Sequence, residues 1–332
     1  MPTATVTSVS GGRRVLVSGM GSELGSLVAT LLEKERWVSE ITGLDIDPPR
    51  RRLRRATFHR VEPKDRRKMV SLVREFDPQV VVHMAVWEPD ARAHPRDAAL
   101  WTQAAAVDVL GAAAECPSLS HLTVRSGICV YGRRRGAATR PDESVTPEPT
   151  TPFGRSLLDV ERIAGEAGAV AGVPVTAVRL APVVGPHVPS PLGRLLRLPA
   201  VPVSIMADPA FSVIDDQDAA TAIVAAASTH LDGPVNVISP GAVTATQAVR
   251  MGRRIAIPLI GPEWRLAGVV ASAFGAPIPR HIQELLNRGR TADGTYAAQA
   301  LGVEPRLSTR EVIQALYEWA TVIHLRPTEA AA

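Results

Sequence analysis

The chain has 332 residues and a formal net charge of +4, with 45% hydrophobic and 21% charged residues. These proportions are ordinary for a soluble globular protein, and the length allows one large α/β domain or two lobes around a real core. The two cysteines, Cys116 and Cys129, are too few for a disulfide framework or a metal cluster. We therefore expect no metal and a reducing, cytoplasmic environment.

No segment of the sequence predicts export or insertion into a membrane. Residues 1–12 lack the apolar centre of a signal peptide. The most apolar later stretch, Leu266 to Phe274, is far too short to cross a bilayer. We expect no transmembrane segment, while contact with a membrane surface stays open.

Strands and helices alternate along the first half of the chain. Apolar runs predict strands near residues 14–18, 41–44, 56–61, 80–84, 122–126 and 174–180. The runs between them predict helices that end near residue 32 or cover 65–76, about 91–116 and about 151–169. This alternation is typical of a parallel sheet covered by helices on both faces. The sequence thus predicts an α/β fold, a Rossmann-type doubly wound parallel sheet with a smaller C-terminal α/β lobe.

A glycine-rich turn follows the first predicted strand. Gly19, Gly21 and Gly25 lie between that strand and the first helix, where glycine lets the backbone approach a pyrophosphate and the helix N-terminus supplies N–H groups. Asp45 ends the second strand, 26 residues after Gly19, about where an acidic side chain accepts hydrogen bonds from ribose hydroxyls. A carboxylate there disfavours a 2′-phosphate, so NAD(H) is predicted rather than NADP(H). The alternative is a doubly wound fold with an emptied pocket.

These patterns predict the division of the chain. We expect a flexible tail at 1–11, an NAD(P)-binding Rossmann domain at 12–182, and a second tail at 326–332. Between them, residues 183–325 are expected to form mainly a substrate-binding lobe, with some return of the chain to the Rossmann core.

Several motifs resemble the extended short-chain dehydrogenase/reductases, in particular the NAD-dependent nucleotide-sugar epimerase/dehydratase family. The motifs, in chain order, are Gly19, Ser22 and Gly25 of a Gly-x-x-Gly-x-x-Gly turn, Asp45, Val82 to Val86, Val130-Tyr131-Gly132, Arg179 to Pro182, Val184-Gly185-Pro186, Phe211 to Ala219, and Asn236. The resemblance implies the same fold, a nucleotide-sugar ligand, and a homodimer formed through two helices per subunit.

The resemblance also implies which residues line the cofactor site. They are Gly19, Gly21, Ser22, Glu23, Leu24, Gly25, Asp45, Glu62, Met84, Ala85, Val86, Ser126 and Pro182. Two departures weaken this site. Ser22 replaces the middle glycine of the turn, and Glu62-Pro63 replaces the family's adenine-contacting Asp-Ile/Leu pair, where proline lacks a backbone N–H.

The three side chains of the family's acid–base chemistry are also replaced. The resemblance implies a tyrosine that exchanges the substrate proton, a lysine that lowers the tyrosine pKa, and a serine or threonine that orients the substrate oxygen. These positions hold Phe153, Leu157 and Gly127. Phe153 and Leu157 lie four residues apart on one predicted helix face, so both should face the cofactor pocket, and neither can exchange a proton.

No other residue is an obvious substitute in the sequence. No lysine follows Lys68, Glu161 is expected to belong to the helix framework, and His83 ends a buried strand. Arg125 could bind an anion in the pocket but is a poor proton carrier. Cys129, without an adjacent base, is expected to be a small buried residue.

Two further features are expected to be structural. Basic residues are frequent over 50–68 and at 133–135, but no nucleic-acid-binding motif accompanies them, so we expect solvated faces and no nucleic-acid partner. The apolar stretch at 264–274 is expected to pack within the smaller lobe, with contact to a partner or a membrane surface as alternatives.

We therefore predict an NAD(P)-binding, epimerase/dehydratase-like protein that is catalytically impaired or inactive and acts in binding, sensing or scaffolding. Two alternatives stay open. One is an active, atypical nucleotide-sugar epimerase or oxidoreductase that uses a non-standard proton donor. The other is a redox-sensing regulator that binds another protein.

Overall fold

The computed structural model describes residues 12–89, 93–185, 187–204, 207–259 and 263–318. The predicted tails at 1–11 and 326–332 and the predicted motif residue Pro186 lie outside these ranges. The strands are β1 (Arg13–Ser18), β2 (Val38–Asp45), β3 (Ala56–Arg60), β4 (Val80–His83), β5 (His121–Gly127), β6 (Val175–Leu180), β7 (Val183–Val184), β8 (Ala200–Ser204), β9 (Ala210–Phe211), β10 (Ile214–Asp215), β11 (Gly233–Val237), β12 (Val243–Thr244) and β13 (Ile255–Leu259). The helices are α1 (Glu23–Leu32), α2 (Arg66–Phe76), α3 (Pro95–Ala114), α4 (Pro152–Ala171), α5 (Pro191–Leu196), α6 (Asp216–Thr229), α7 (Ala245–Met251), α8 (Glu263–Ala273), α9 (Arg280–Arg288), α10 (Thr295–Leu301) and α11 (Thr309–Glu318), with a 3₁₀ turn at Ile128–Tyr131.

Within the described residues, the central sheet joins seven strands in the order β11-β6-β5-β4-β1-β2-β3. All neighbouring pairs in it are parallel. The chain builds outward from β1 to β3 and then returns to place β4 on the other side of β1. Ligands of doubly wound sheets bind at such a reversal, outside the carboxyl ends of the strands. The predicted Rossmann-type α/β fold is confirmed.

Alternate residues of the buried strands pack on opposite faces of the sheet. Val15 and Val17 belong to the core that contains α1 and α6, whereas Leu16 belongs to the core formed with α2, α3 and α4. A strand covered on both faces reads as a continuous apolar run, which is why the sequence predicted these strands well. α6, β11 and α10 come from the second half of the chain and complete the first of these cores.

The smaller lobe has a separate core. Phe211 of β9, Leu285 of α9 and Ile313 of α11 are fully buried in it. The short strands of this lobe pair as β8 with β13 and β9 with β12. Near its C-terminal end, Arg306 donates to the carboxylate of Asp218 in α6 at 2.7 Å, which ties this part of the chain to the Rossmann core.

Local residues at both ends of α4, the helix beside the predicted site, determine where it begins and ends. α4 begins after Thr151, whose hydroxyl accepts the N–H of Gly154 at 3.2 Å, and Pro152 occupies its first turn. Proline fits there because the first N–H groups of a helix have no partner within it. Gly172 ends the helix with φ of 67°, a conformation that costs glycine little. The helix predicted at about 151–169 is observed at Pro152–Ala171. It begins one residue later and ends two residues later than predicted.

His83 gives the protein a pH-dependent stability. The ring Nδ1 lies 2.7 Å from Ser18 Oγ, and full burial lowers the His83 pKa from 6.5 to about 4. The unfolded chain binds this proton more readily, so stabilisation present above pH 6.5 is lost as the pH falls toward 4. Acidification from about pH 7 to about pH 5 should therefore lower the free energy of unfolding by about 2 kcal/mol through this residue.

Urea unfolding at the two pH values tests this contribution. The pH dependence should be weaker by that amount in His83→Gln, since the other titrating groups are common to both proteins. His59→Gln, which alters a histidine on edge strand β3, is measured alongside as the control for removing a histidine. The same pH dependence in wild type and His83→Gln would contradict the role given to His83.

Candidate functional site

The turn between β1 and α1 requires glycine at close backbone contacts. A Cβ on Gly19 would lie 2.5 Å from the carbonyl carbon of Met84, and Gly19 has φ of +76°. A Cβ on Gly21 would lie 2.0 Å from the carbonyl oxygen of Asp47. The turn therefore lets the ends of β1 and β4 approach each other and leaves the N-terminus of α1 open to a ligand.

Ser22, the departure from the family's glycine, caps the first helix. Its hydroxyl accepts the N–H of Gly25 at 3.0 Å and donates to the carbonyl oxygen of Gly19 at 2.9 Å. A serine N-cap stabilises a helix start. The substitution thus supports the turn and keeps the positive end of the α1 dipole in place.

Asp45 closes the other side of the same crevice. Its carboxylate accepts the N–H groups of Gly21 at 2.8 Å and Ile46 at 2.6 Å. Burial raises the pKa of Asp45, although these backbone donors act in the opposite direction. The carboxylate is fixed by the backbone, and its remaining lone pairs can accept hydrogen bonds from a ligand.

A cavity of about 320 Å³, which we call the larger cavity, lies against this turn. The predicted cofactor residues that line it are Gly19, Gly21, Ser22, Glu23, Leu24, Asp45, Met84, Ala85 and Val86. Gly25 lies behind the turn, against Gly19. Trp87 and Trp101, whose rings meet edge to face at 6.1 Å, form a wall that the sequence did not predict. The glycine backbone, the helix N-terminus and Asp45 together fit the pyrophosphate and ribose of a dinucleotide.

The crevice narrows beside Asp45. Val61, Pro63 and Trp87 line a cleft there of only about 10 Å³. Glu62, which the resemblance placed at the adenine, is exposed and lines neither this cleft nor the larger cavity. The structure therefore brings Pro63 to the crevice in place of Glu62.

A smaller cavity of about 50 Å³ adjoins the larger one. Glu88, Arg125 and Val183 line both cavities and mark their junction. The sequence-derived candidates that line the smaller cavity are Ser126, Gly127, Phe153, Leu157 and Pro182. The structure thus brings the three replaced catalytic positions together at one end of the crevice.

Hydrocarbon forms this part of the smaller cavity's wall. A Cβ on Gly127 would lie 3.2 Å from Cδ1 of Leu157, so the leucine side chain fills space beside the missing serine. Leu157 itself is 2% exposed. Phe153 lies next to it and places its ring 4.6 Å from the ring of His281. The side chains at 127, 153 and 157 can neither donate nor accept a proton.

Ser126, which stands beside the altered serine position, serves the scaffold. Its hydroxyl donates to Glu161 at 2.5 Å, and Arg179 donates to both carboxylate oxygens of Glu161, at 3.0 and 2.7 Å. Arg179 also donates to the hydroxyl of Tyr131 at 2.9 Å, which donates in turn to Asn236 at 2.9 Å. These hydrogen bonds join α4 to β5, β6 and β11, so Glu161 and Tyr131 hold the scaffold together.

Sequence reasoning missed three polar residues of the smaller cavity. Glu88 follows β4, whereas His281 lies in α9 and Arg290 follows that helix. No local pattern marks them, because Glu88 and His281 are 193 residues apart in the chain. Arg125, which the sequence suggested as an anion binder, lines both cavities, and burial lowers its pKa.

The remaining features that the sequence singled out are the two cysteines and the apolar stretch at 264–274, and the structure gives neither a catalytic role. Cys116 and Cys129 are buried and unpaired, and burial raises the pKa of Cys129 to about 11, which keeps its thiol protonated. The apolar stretch of α8 and the residue after it packs only in part, since Ala271 is buried but Val269 and Phe274 are exposed.

Among the described residues, no three His, Cys, Asp or Glu side chains are grouped to hold a metal ion. None of the described helices is long and apolar enough to cross a membrane.

Comparison with known families identifies the chain. The NAD dependent epimerase/dehydratase family matches it over residues 15–238, and the protein belongs to that family. It is also similar to an uncharacterised protein of Mycobacterium tuberculosis strain H37Rv, with 27% identity over 310 residues that cover 90% of this chain and 81% of that protein. A Mycobacterium bovis protein, also uncharacterised, matches to the same extent.

Solved structures share the fold over nearly the whole chain. MoeE5, in complex with UDP-glucose and NAD, has a TM-score of 0.72 and 21% identity, covering 93% of this chain and 98% of that one. The UDP-glucose 4-epimerase of Thermotoga maritima, with UDP-glucose, has a TM-score of 0.71 and 18% identity, covering 92% and 98%. The UDP-glucuronic acid 4-epimerase of Bacillus cereus, in complex with NAD, has a TM-score of 0.66 and 18% identity, covering 92% and 98%.

The packing of Leu157 against Gly127 can be tested by stability. Leu157→Ala should lower the free energy of unfolding by about 3 kcal/mol, because the lost atoms leave a void that joins the smaller cavity. Leu158→Ala, at the half-buried neighbouring position, should cost clearly less. Urea unfolding of both variants measures the difference. Equal losses would contradict the buried packing assigned to Leu157.

Proposed function

We propose that this protein binds NAD(H) in the larger cavity. The observation that carries this proposal is the glycine turn at the α1 N-terminus, with the Asp45 carboxylate held at 2.8 Å from the Gly21 N–H. Membership of an NAD dependent family supports it. So do the NAD complexes of MoeE5 and of the Bacillus cereus epimerase, whose fold the chain shares.

Asp45 is the proposed basis for selecting NAD over NADP. Its carboxylate would accept hydrogen bonds from the ribose hydroxyls and would repel a 2′-phosphate. Backbone N–H groups hold both carboxylate oxygens, so we expect the carboxylate to keep its position when a 2′-phosphate approaches. We therefore expect NADP(H) to bind more weakly.

The same geometry supports impaired acid–base chemistry. NAD supplies a hydride acceptor when it is bound. The protein must then hold and move the hydroxyl proton of the substrate, and Gly127, Phe153 and Leu157 cannot do so. General acid–base catalysis typically contributes about 100- to 10,000-fold, and we expect turnover by the tyrosine route to be slowed on this scale. A binding, sensing or scaffolding role follows.

The partners of this role are also proposed. A nucleotide sugar is the expected small ligand, since MoeE5 and the Thermotoga maritima epimerase are complexes with UDP-glucose. A homodimer through two helices per subunit would use α3 and α4, which expose Leu100, Val107 and Val170. We further propose a cytoplasmic location. As an alternative role in regulation, a protein partner would bind according to whether NAD or NADH occupies the site.

Calorimetric titration with four dinucleotides tests the cofactor proposal. NAD or NADH should bind more tightly than NADP or NADPH. Asp45→Asn should weaken NAD(H) binding about 10-fold or more, because a hydrogen bond to a charged group contributes about 1.5–3 kcal/mol. The same variant should discriminate less against NADP(H).

Asp159→Asn is the matched control, since Asp159 is exposed on α4. It should bind NAD(H) as the wild type does. Failure of the wild type to bind any of the four dinucleotides would refute the proposed cofactor function. Equal affinities for NAD and NADP would refute the role of Asp45.

Restoring the family's side chains tests the proposed impairment. The triple variant Gly127→Ser, Phe153→Tyr and Leu157→Lys should convert UDP-glucose at least about 100-fold faster than the wild type, because a proton carrier is returned to the pocket. Product formation in the presence of NAD, followed by chromatography, measures this. Gly127→Ser alone should give no gain. A wild type that already turns over as fast as the triple variant would contradict the impairment.

A second candidate function is an atypical epimerase or oxidoreductase with a different proton carrier. One observation favours it. His281, whose ring lies 4.6 Å from the Phe153 ring, is hydrogen-bonded to Glu88 inside the smaller cavity.

A further inference from the structure

A histidine and a carboxylate meet at the end of the crevice that has lost its tyrosine. Nε2 of His281 lies 2.9 Å from Oε1 of Glu88, and their side chains are 5% and 25% exposed. Both residues line the smaller cavity, and Glu88 lines the larger cavity too. The pair therefore stands at the junction between the proposed cofactor site and the pocket beyond it.

The pairing leaves one ring nitrogen available. A neutral imidazole that donates from Nε2 to a carboxylate carries a lone pair on Nδ1. The hydrogen bond that the structure gives His281 is made through Nε2, to Glu88. A carboxylate that is hydrogen-bonded to one ring nitrogen fixes the orientation of the histidine ring. The Glu88–His281 pair thus has the chemistry of a general base and acid.

The position of the ring is also suited to this role. The His281 and Phe153 ring centroids are 4.6 Å apart, with the ring planes tilted by 40°. Phe153 marks the place where the family resemblance puts the proton-carrying tyrosine. The imidazole therefore contacts the ring at this position from the side of α9, in the smaller lobe.

The scaffold holds His281 firmly. It lies in the first turn of α9, and the next residues inward on that helix, Ile282 and Leu285, are buried in the smaller-lobe core. Positioning by a packed helix leaves the ring little freedom, which is what proton transfer over a hydrogen-bond distance requires.

The rest of the cavity is polar enough to receive a substrate oxygen. Arg125 lines it, and Arg290 lies beside it with one guanidinium nitrogen 2.5 Å from Glu284. Nε of Arg290 is buried and has no hydrogen-bond partner in the described part of the chain. The Cys129 thiol, with its pKa raised to about 11 by burial, offers no competing base.

We propose that His281, oriented by Glu88, is the proton carrier of this site and sustains a slow alcohol–ketone interconversion on a nucleotide sugar. The proposal rests on the proposed NAD(H) site. The hydroxyl proton of the substrate passes to Nδ1 of His281 while the carbinol C–H hydrogen leaves with its electron pair to NAD, so the alcohol becomes a ketone as NAD is reduced to NADH. The reverse transfers return an alcohol and the original charge states. Glu88 is the positioning residue.

The experiment compares wild type, His281→Gln, Glu88→Gln and the control His59→Gln, each loaded with NAD and given UDP-glucose. Conversion to the ketone or the epimer is followed by chromatography over hours. We expect kcat to fall about 100-fold or more in His281→Gln, with an intermediate rate in Glu88→Gln and the wild-type rate in His59→Gln. KM and the calorimetric affinity for NAD should stay unchanged in His281→Gln.

A second measurement does not depend on turnover. In protein labelled with ¹⁵N-histidine, the His281 resonances, assigned by their absence in His281→Gln, should show an Nε2–H tautomer with a bare Nδ1. UDP-glucose added with NADH should shift the Nδ1 resonance, and Glu88→Gln should weaken the tautomer preference. Urea unfolding of the variants shows whether they remain folded.

The outcomes separate this inference from the proposed function. Equal rates in wild type and His281→Gln, including no conversion by either, overturn the catalytic role of His281, as does a protonated Nδ1 in the neutral ring. Normal NAD affinity in the same samples would then leave the cofactor proposal standing. A wild type that binds no dinucleotide overturns both. A His281→Gln variant that loses stability but keeps its rate assigns the pair to bridging the two lobes.

Discussion

The contact between the ends of β1 and β4 is the constraint on which the rest of the site depends. At Gly19 the backbone passes so close to Met84 that a single added carbon would overlap it. The N–H of Gly19 donates to Leu44 at 2.8 Å, and the N–H of Met84 donates to Ser18 at 2.8 Å. These bonds bind the carboxyl ends of β1, β2 and β4 together. The crevice, the α1 N-terminus and Asp45 all take their places from that junction.

At the far end of the crevice, two successive turns of α4 make different kinds of contact. Glu161 of α4 still binds Arg179 and Ser126 in a buried network that joins the helix to the sheet. One turn earlier, Leu157 lies against Gly127, with no room between them for a larger side chain at 127 unless Leu157 moves. The buried network and the apolar wall of the smaller cavity thus lie one turn apart on the same helix.

The smaller lobe determines what chemistry that end can support. α9 brings His281 against Phe153 and Glu88, and the segment after it brings Arg290. The residues that α4 contributes to the smaller cavity are apolar, whereas other segments contribute the charged residues Glu88 and Arg290. Phe153 and Leu157 of α4 and the Glu88–His281 pair therefore line the same small cavity.

The sequence by itself determined the fold and the glycine turn, and the replacement of the catalytic side chains stays a prediction. Continuous apolar runs marked the buried strands, and glycine spacing with Asp45 marked the crevice, because these signals are local. Phe153, Leu157 and Gly127 could be recognised because the motifs around them were intact. That Pro63 rather than Glu62 lines the crevice depends on backbone direction, which a local sequence pattern does not give. Only the tertiary structure decided that Glu88 and His281 meet, because a contact across 193 residues is made by the packing of one lobe on the other.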